Sequence, residues 1–95
     1  MRTIDLSTAF KKDFKRAKAN PRHAQDVEPL IEVAASLLAE DKPLPDSFRD
    51  HALIGNWQGY RECHLKPDLL LIYRTDDPGV LKIARLGSHS ELFRR

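Results

Sequence analysis

The sequence predicts an α+β domain in which two helices cover one face of a sheet. Apolar residues recur at helical spacing through the first 40 residues, and short apolar runs divided by turn signals follow from about residue 52. Helices that precede a run of hairpin-linked strands are typical of such a layered fold. With 95 residues, of which 41% are hydrophobic and 32% charged, we expect residues 1–95 to form a single domain around one core.

The first 20 residues predict a strand followed by a helix. Residues 1–6 are short and partly apolar, which favours an N-terminal strand. Ser7 is a suitable N-cap for the helix that follows. The helix should end at Asn20, because the next residue is Pro21. The apolar positions at helical spacing are Phe10, Phe14 and Ala17.

A second helix is predicted between residues 26 and 40. Asp26 can cap its N-terminus, and Pro29 is tolerated in the first turn. The two prolines within residues 41–45 mark the break that follows. The apolar stripe of this helix consists of Val27, Leu30, Ile31, Ala34 and Leu38.

The second half predicts an antiparallel meander of about four strands. Gly55-Asn56, Lys66-Pro67-Asp68 and the run from Asp76 to Gly79 are the turn signals between them. The third of these strands is almost wholly apolar and should be the most buried. The predicted strands are residues 52–54, 58–65, 69–75 and 80–86.

Charge and cysteine content limit the classes of partner and compartment. Residues 1–20 contain six Lys or Arg and two Asp, which favours a polyanion or an acidic protein as partner. A solvated helix face explains the same charges equally well. Cys63 is the only cysteine, so an internal disulfide is excluded, and we expect a cytoplasmic protein. The longest apolar run, residues 69–73, is too short to cross a bilayer, so no membrane association is expected.

Titratable side chains gather at the ends of the predicted strands. In the strand over residues 58–65, His64 shares a face with Tyr60 and Glu62. Only the Tyr60 ring is apolar on this face, so it should be the face that the helices leave open. Asp68 lies in the next turn, His51 precedes a neighbouring strand, and His89 follows the last strand. Only His23 lies elsewhere among the four histidines, and we assign it no role.

These residue types can support phosphodiester cleavage without a metal or another cofactor. Histidines around a phosphate can take the proton of a 2′-OH and protonate the leaving 5′-oxygen. An arginine can stabilise the charge on the phosphate, and Arg61 and Arg85 are the candidates. Each residue alone is a weak indication, since a histidine at a strand end is more often a surface residue. The prediction depends on the set converging.

The C-terminal segment is predicted to return toward this set. Gly87 allows a sharp turn after the last strand, and Ser88 or Ser90 can cap one helical turn. Leu92 would then anchor the segment against the core, and Phe93 would lie near the cleft, where an aromatic ring can stack on a base. Arg94 and Arg95 would contact backbone phosphates.

Two motifs resemble the YafQ branch of the RelE/ParE superfamily of bacterial toxins. The first is LPDSFRDHALIGNWQGYRECHLKPDLLLIY, residues 44–73, and the second is RLGSHSELF, residues 85–93. The match is close over residues 44–93, and the first 40 residues agree only in their helix–helix layout. The resemblance implies a RelE-like fold, a curved antiparallel sheet packed against two helices.

The resemblance also implies an activity and its residues. It implies a toxin that cleaves messenger RNA on the ribosome and is silenced by a cognate antitoxin, with operator DNA a possible contact of their complex. By position, the family's late histidine, the favoured general acid, is His89. The base would be His51 or Asp68, and His64 would position or stabilise the phosphate. The C-terminal aromatic residue of the family corresponds to Phe93 and its arginine to Arg85.

Three other functions agree less well with the sequence. A gyrase-inhibiting toxin of the ParE type needs no histidine cluster, which counts against it. A metal-dependent hydrolase could use His51, His64, Asp68 and His89, but the only close pair of these ligands brackets a proline turn, unlike most zinc sites. A nucleic-acid-binding repressor would use the basic first helix, yet the sequence has no helix-turn-helix signature.

Overall fold

A computed structural model describes residues 1–93 and confirms the α+β class. The contacts expected of Arg94 and Arg95 lie outside the described residues. Within residues 1–93, no helix is both long and apolar enough to span a membrane. The elements are β1 (Thr3–Leu6), α1 (Thr8–Ala19), α2 (Val27–Ala39), β2 (His51–Ala52), β3 (Arg61–Lys66), β4 (Leu69–Arg74), β5 (Val80–Gly87) and α3 (His89–Leu92).

The strands of the described region form one mixed sheet in the order β1-β5-β4-β3-β2. The predicted meander is confirmed, because β2, β3, β4 and β5 pair with one another in antiparallel fashion. The N-terminal strand is also confirmed, and it pairs in parallel with β5. The chain therefore leaves β1 at one edge, crosses the sheet through both helices, and returns strand by strand from the opposite edge.

The two long helices pack on one face of the sheet, as predicted. Ser7 caps α1, because its Oγ accepts a hydrogen bond from the N–H of Phe10 at 2.9 Å. Asp26 stands at the N-cap position of α2 but makes no capping bond, and its carboxylate binds Nζ of Lys66 at 2.8 Å instead. The core between the layers includes Phe10, Ala17, Val27, Ala34, Leu38, Cys63, Leu71, Tyr73, Leu81 and Ile83.

The segment between β2 and β3 differs from its prediction. The strand expected over residues 52–54 is the shorter β2, and β3 begins three residues later than expected, at Arg61. Residues Gly55–Trp57 form a 3₁₀ helix, with φ +69° at Gly55 and φ +93° at Gly59. Positive φ values are incompatible with a continuing strand, so the chain here folds over the sheet instead.

The sheet face away from α1 and α2 is therefore partly covered. Leu70, Ile72 and Leu92 are buried there, and the tail anchor predicted for Leu92 is confirmed. The expectation of an open face was wrong for this part of the sheet, since the loop after β2 and the helix α3 both pack on it. The partly buried residues of this second cluster are Leu53, Trp57, Tyr60, Ala84 and Phe93.

Candidate active site

Strand pairing places one carboxylate between two of the predicted histidines. His51 on β2 is the direct partner of Glu62 on β3, and His64 follows two residues later on the same strand face. Across the sheet, Glu62 and His64 pair with Ile72 and Leu70 of β4. The three polar side chains therefore share a face with the second apolar cluster.

Glu62 is a buried carboxylate that contacts both imidazole rings. Its side chain is 3% exposed, and Oε2 lies 3.3 Å from Nε2 of His51 and 3.4 Å from Nε2 of His64. Its other oxygen, Oε1, is buried with no hydrogen-bond partner among the described residues. Alternation put Glu62 on the face of His64, but nothing local in the sequence indicated its burial, so we assigned it no role.

His64 is the centre of a row of three rings. Its ring centroid lies 6.3 Å from that of His51 and 5.9 Å from that of His89. Its side chain is only 13% exposed, and Nδ1 is buried without a partner within residues 1–93. We expected His64 on an open surface; the ring is instead largely enclosed, between His51 of β2 and His89 of α3.

His89 and Asp68 meet at the other end of the row. His89 is the first residue of α3, which Ser88 and Glu91 start with a reciprocal capping box. The backbone N–H of His89 donates to Oδ1 of Asp68 at 3.1 Å, and its ring Nδ1 lies 3.6 Å from the same oxygen. Phe93 follows, with its ring centroid 5.8 Å from that of His89. The structure thus brings His51, His64, Asp68, His89 and Phe93 together.

His51 is held by the backbone and by its neighbour in sequence. Nδ1 of His51 lies 2.9 Å from the carbonyl oxygen of Arg49, which can accept its hydrogen. The adjacent Asp50 accepts hydrogen bonds from the hydroxyl of Tyr73 and from Nε and Nη2 of Arg61. Burial and the bond to Asp50 raise the pKa of Tyr73, which keeps its hydroxyl protonated as a donor. Asp50 therefore ties the two-residue strand β2 to the rest of the sheet.

The two predicted arginines both have protein partners. Arg61 is paired with Asp50, and Arg85 binds Asp13 of α1 through Nε at 2.7 Å and Nη2 at 3.1 Å. Their roles at the phosphate stay predictions. Sequence reasoning missed both pairings, since Asp13 and Arg85 lie 72 residues apart in the chain and no local pattern links them.

The arrangement can move protons at two positions on either side of a central ring. The side chains of His51 and His89 are about half exposed, at 51% and 58%. The carboxylate of Glu62, between His51 and His64, is buried. Among residues 1–93, no three His, Cys, Asp or Glu side chains are grouped so that they could hold a metal ion.

Comparison with known proteins places the chain in a family. The model of a family described as a bacterial toxin of type II toxin–antitoxin system, YafQ, matches residues 2–94. The mRNA interferase toxin YafQ of Escherichia coli is 39% identical over 92 residues, which cover 97% of this chain and 96% of the relative.

Two solved structures share the fold over nearly their whole length. A metal-bound toxin from Helicobacter pylori is 44% identical, with a TM-score of 0.86 over 98% of this chain and 100% of that one. The toxin of the E. coli DinJ–YafQ toxin–antitoxin complex is 36% identical, with a TM-score of 0.81 over 97% of each chain. The chain therefore belongs to the YafQ family of bacterial toxins of type II toxin–antitoxin systems, as its two motifs predicted.

Proposed function

We propose that this toxin is a ribosome-dependent messenger-RNA endonuclease that uses histidine acid–base chemistry and needs no metal. The E. coli relative is named an mRNA interferase, which supports messenger RNA as the substrate. The observation that carries the proposal is the row His51–His64–His89 with the buried Glu62 beside it. The 2′-oxygen attacks phosphorus, the bond from phosphorus to the 5′-oxygen breaks, and a 2′,3′-cyclic phosphate and a 5′-hydroxyl result.

His51 is the proposed general base. In the neutral ring, donation from Nδ1 to the carbonyl of Arg49 leaves the lone pair on Nε2. This nitrogen takes the 2′-OH proton, and the negative charge of Glu62, whose Oε2 lies 3.3 Å away, stabilises the imidazolium that forms. Asp68 was the other candidate base, but it lies beside His89, and an in-line displacement needs its base and acid on opposite sides of the phosphorus.

His89 is the proposed general acid, and Asp68 orients it. Asp68 accepts the backbone N–H at the start of α3 and lies 3.6 Å from the ring Nδ1 of His89. Because Nδ1 lies beside this carboxylate, Nε2 is the ring nitrogen that faces the leaving 5′-oxygen and protonates it. His64, between the two, contacts the phosphate and stabilises its developing charge. Phe93, next to His89, stacks on a base of the RNA.

The partners follow from the family and from the charge of α1. The E. coli toxin forms a complex with the antitoxin DinJ, and we propose a cognate antitoxin for this chain as well. Basic residues on α1, among them the exposed Lys11, Lys12 and Lys15, suit an acidic antitoxin segment or ribosomal RNA. Operator DNA would be contacted through the antitoxin complex. Cleavage of messenger RNA on ribosomes places the toxin in the cytoplasm.

The test is end-group analysis of cleaved messenger RNA in a translating extract. We expect 5′-hydroxyl ends, which polynucleotide kinase labels without prior phosphatase treatment. His89→Gln should slow cleavage by about 10²-fold or more, the scale of a general acid. His23→Gln, in the loop between the helices, is the control and should cleave like wild type. Products with 5′-phosphate ends, or growth arrest with intact messenger RNA and blocked DNA supercoiling, would overturn the proposal.

A further inference from the structure

A second buried carboxylate lies behind the histidine row, on the helix side of β5. Asp13 of α1 has a side chain that is 3% exposed, and its two oxygens accept four hydrogen bonds. Arg85 donates two of them, Arg16 donates one at 3.1 Å, and the backbone N–H of Leu86 donates one at 3.0 Å. Burial opposes its charge, but these donors outweigh burial and lower the pKa of Asp13, so it stays ionised.

These bonds fix the chain where it leaves β5 for α3. A β-bulge interrupts the ladder just before this end: Ile83 pairs with Tyr73, whereas Arg85 pairs with Ile72 and regular pairing resumes. On the C-terminal side of the bulge, Asp13 adds a contact from α1, because its carboxylate accepts hydrogen bonds from the side chain of Arg85 and from the backbone of Leu86. His89 begins α3 only three residues after Leu86.

A second contact extends the same network into α3 itself. Nε of Arg16 lies 3.4 Å from Oε2 of Glu91, while Oε1 of Glu91 accepts the backbone N–H of Ser88 at 2.8 Å. Gly87 leaves room for this carboxylate, since a Cβ there would lie 2.9 Å from Oε1 of Glu91. Asp13 thus reaches the helix cap through Arg16 as well as through β5.

We propose that Asp13, acting through Arg85 and Arg16, is a positioning residue that sets the location of His89. Asp13 does not contact the three histidine rings. It fixes the end of β5 and the N-cap of α3, and because His89 is the first residue of α3, the position of its ring depends on both. Arg85 is then a positioning residue rather than a phosphate ligand. The inference rests on the proposed function, in which His89 is the general acid, but its structural half can be measured without cleavage.

The test compares Asp13→Asn with Asp76→Asn. Asp76 forms an exposed ion pair with Arg74 away from the site, so its variant matches the change of charge. In Asp13→Asn we expect the ring and backbone NMR signals of His89 to shift while the ring signals of His51 stay in place. Cleavage at saturating messenger RNA should fall at least tenfold with little change in KM, and Asp76→Asn should behave like wild type in both measurements.

Different outcomes test the positioning role of Asp13 and the catalytic role of His89. Folded Asp13→Asn with unmoved His89 signals would overturn the positioning role, whatever the cleavage rate of the variant. Full cleavage with shifted signals would show that the position of His89 does not matter and would count against its role as the acid. If Asp13→Asn does not fold, Arg85→Lys keeps the charge but loses the forked pair of bonds. The same His89 shift and loss of turnover are then expected, and their absence would overturn the positioning role.

Discussion

The two carboxylates that are buried among the described residues, Asp13 and Glu62, have different hydrogen-bond partners. Asp13 accepts four hydrogen bonds from guanidinium and backbone donors, which keep their hydrogens at all ordinary pH values. The polar groups nearest to Oε2 of Glu62 are the Nε2 atoms of His51 and His64, at 3.3 Å and 3.4 Å. Its other oxygen, Oε1, has no hydrogen-bond partner within residues 1–93. A carboxylate with permanent donors holds structure, whereas one that faces titratable rings can respond when a proton moves.

The largest expected effect on cleavage is that of a substitution at His64, the central ring of the row, which lies beside Glu62. We expect His64→Ala to slow messenger-RNA cleavage by about 10²-fold or more. Because the ring is 13% exposed, we also expect a loss of roughly 1–2 kcal/mol in the free energy of unfolding. His23→Ala, in the loop between the helices, is the control for both cleavage and urea unfolding. A variant that loses stability but cleaves at the wild-type rate would show that the ring is only part of the core.

The next effect compares the carboxylates directly by exchanging each for its amide. Asp13→Asn should lower the free energy of unfolding by about 3 kcal/mol, because it leaves Arg85 without its charge partner. It also places the NH₂ group of the amide next to N–H groups that need an acceptor. Glu62→Gln should change the free energy of unfolding by less than about 1 kcal/mol, since the amide has nearly the same shape and one oxygen of the carboxylate has no hydrogen-bond partner within residues 1–93. Urea unfolding measures both variants. Equal losses would mean that Glu62 also holds structure.

Cleavage by Glu62→Gln should change more than its stability. The amide no longer stabilises an imidazolium on His51, so we expect turnover to fall by about tenfold, which corresponds to about 1.4 kcal/mol of transition-state stabilisation. Single-turnover cleavage in the translating extract measures this. Turnover at the wild-type rate would assign the stabilising role to the carbonyl of Arg49 alone.

Acidic pH should remove the stability that ionised Asp13 contributes. Its pKa is lowered from an ordinary value of 3.8, so the stability it supplies is fully present above that pH and is lost as the pH falls through the lowered value. As the pH falls below about 3.8, we expect the wild type to lose stability more steeply than Asp13→Asn, so that the difference between their free energies of unfolding narrows. Asp5→Asn, exposed on β1, is the control. A constant difference down to pH 2 would show that the network does not depend on the charge.

Local patterns were enough to predict most of the fold. The spacing of Val27, Ala34 and Leu38 identified the buried side of α2, and all three are buried. Ser7 was identified as a cap and Ser88 as one of two candidate caps, because a cap requires only a short polar side chain next to a helical segment. These features depend on residues within one or two turns of each other, which is the range over which sequence patterns are informative.

The features that were missed depend on pairs of residues far apart in the chain. Asp13 and Arg85 are 72 residues apart, and Asp50 and Tyr73 are 23 apart. The burial of Glu62 was not apparent either, because only strand pairing brings its neighbours His51 and Ile72 beside it. The motif found the histidines of the site, but only the folded chain brings Glu62 to them.

The smallest effect concerns Phe93, at the outer end of the histidine row. Its ring lies 5.8 Å from that of His89 and packs against the second cluster, and it is partly exposed. If it stacks on a base, Phe93→Ala should weaken cleavage by about five- to tenfold, equivalent to roughly 1 kcal/mol at the low end for such stacking. Phe93→Tyr keeps the aromatic face and should retain most activity, whereas Phe93→Leu keeps the apolar contact with the cluster but not the stack. Equal cleavage by the Tyr and Leu variants would show that Phe93 serves the packing of α3 and not the RNA.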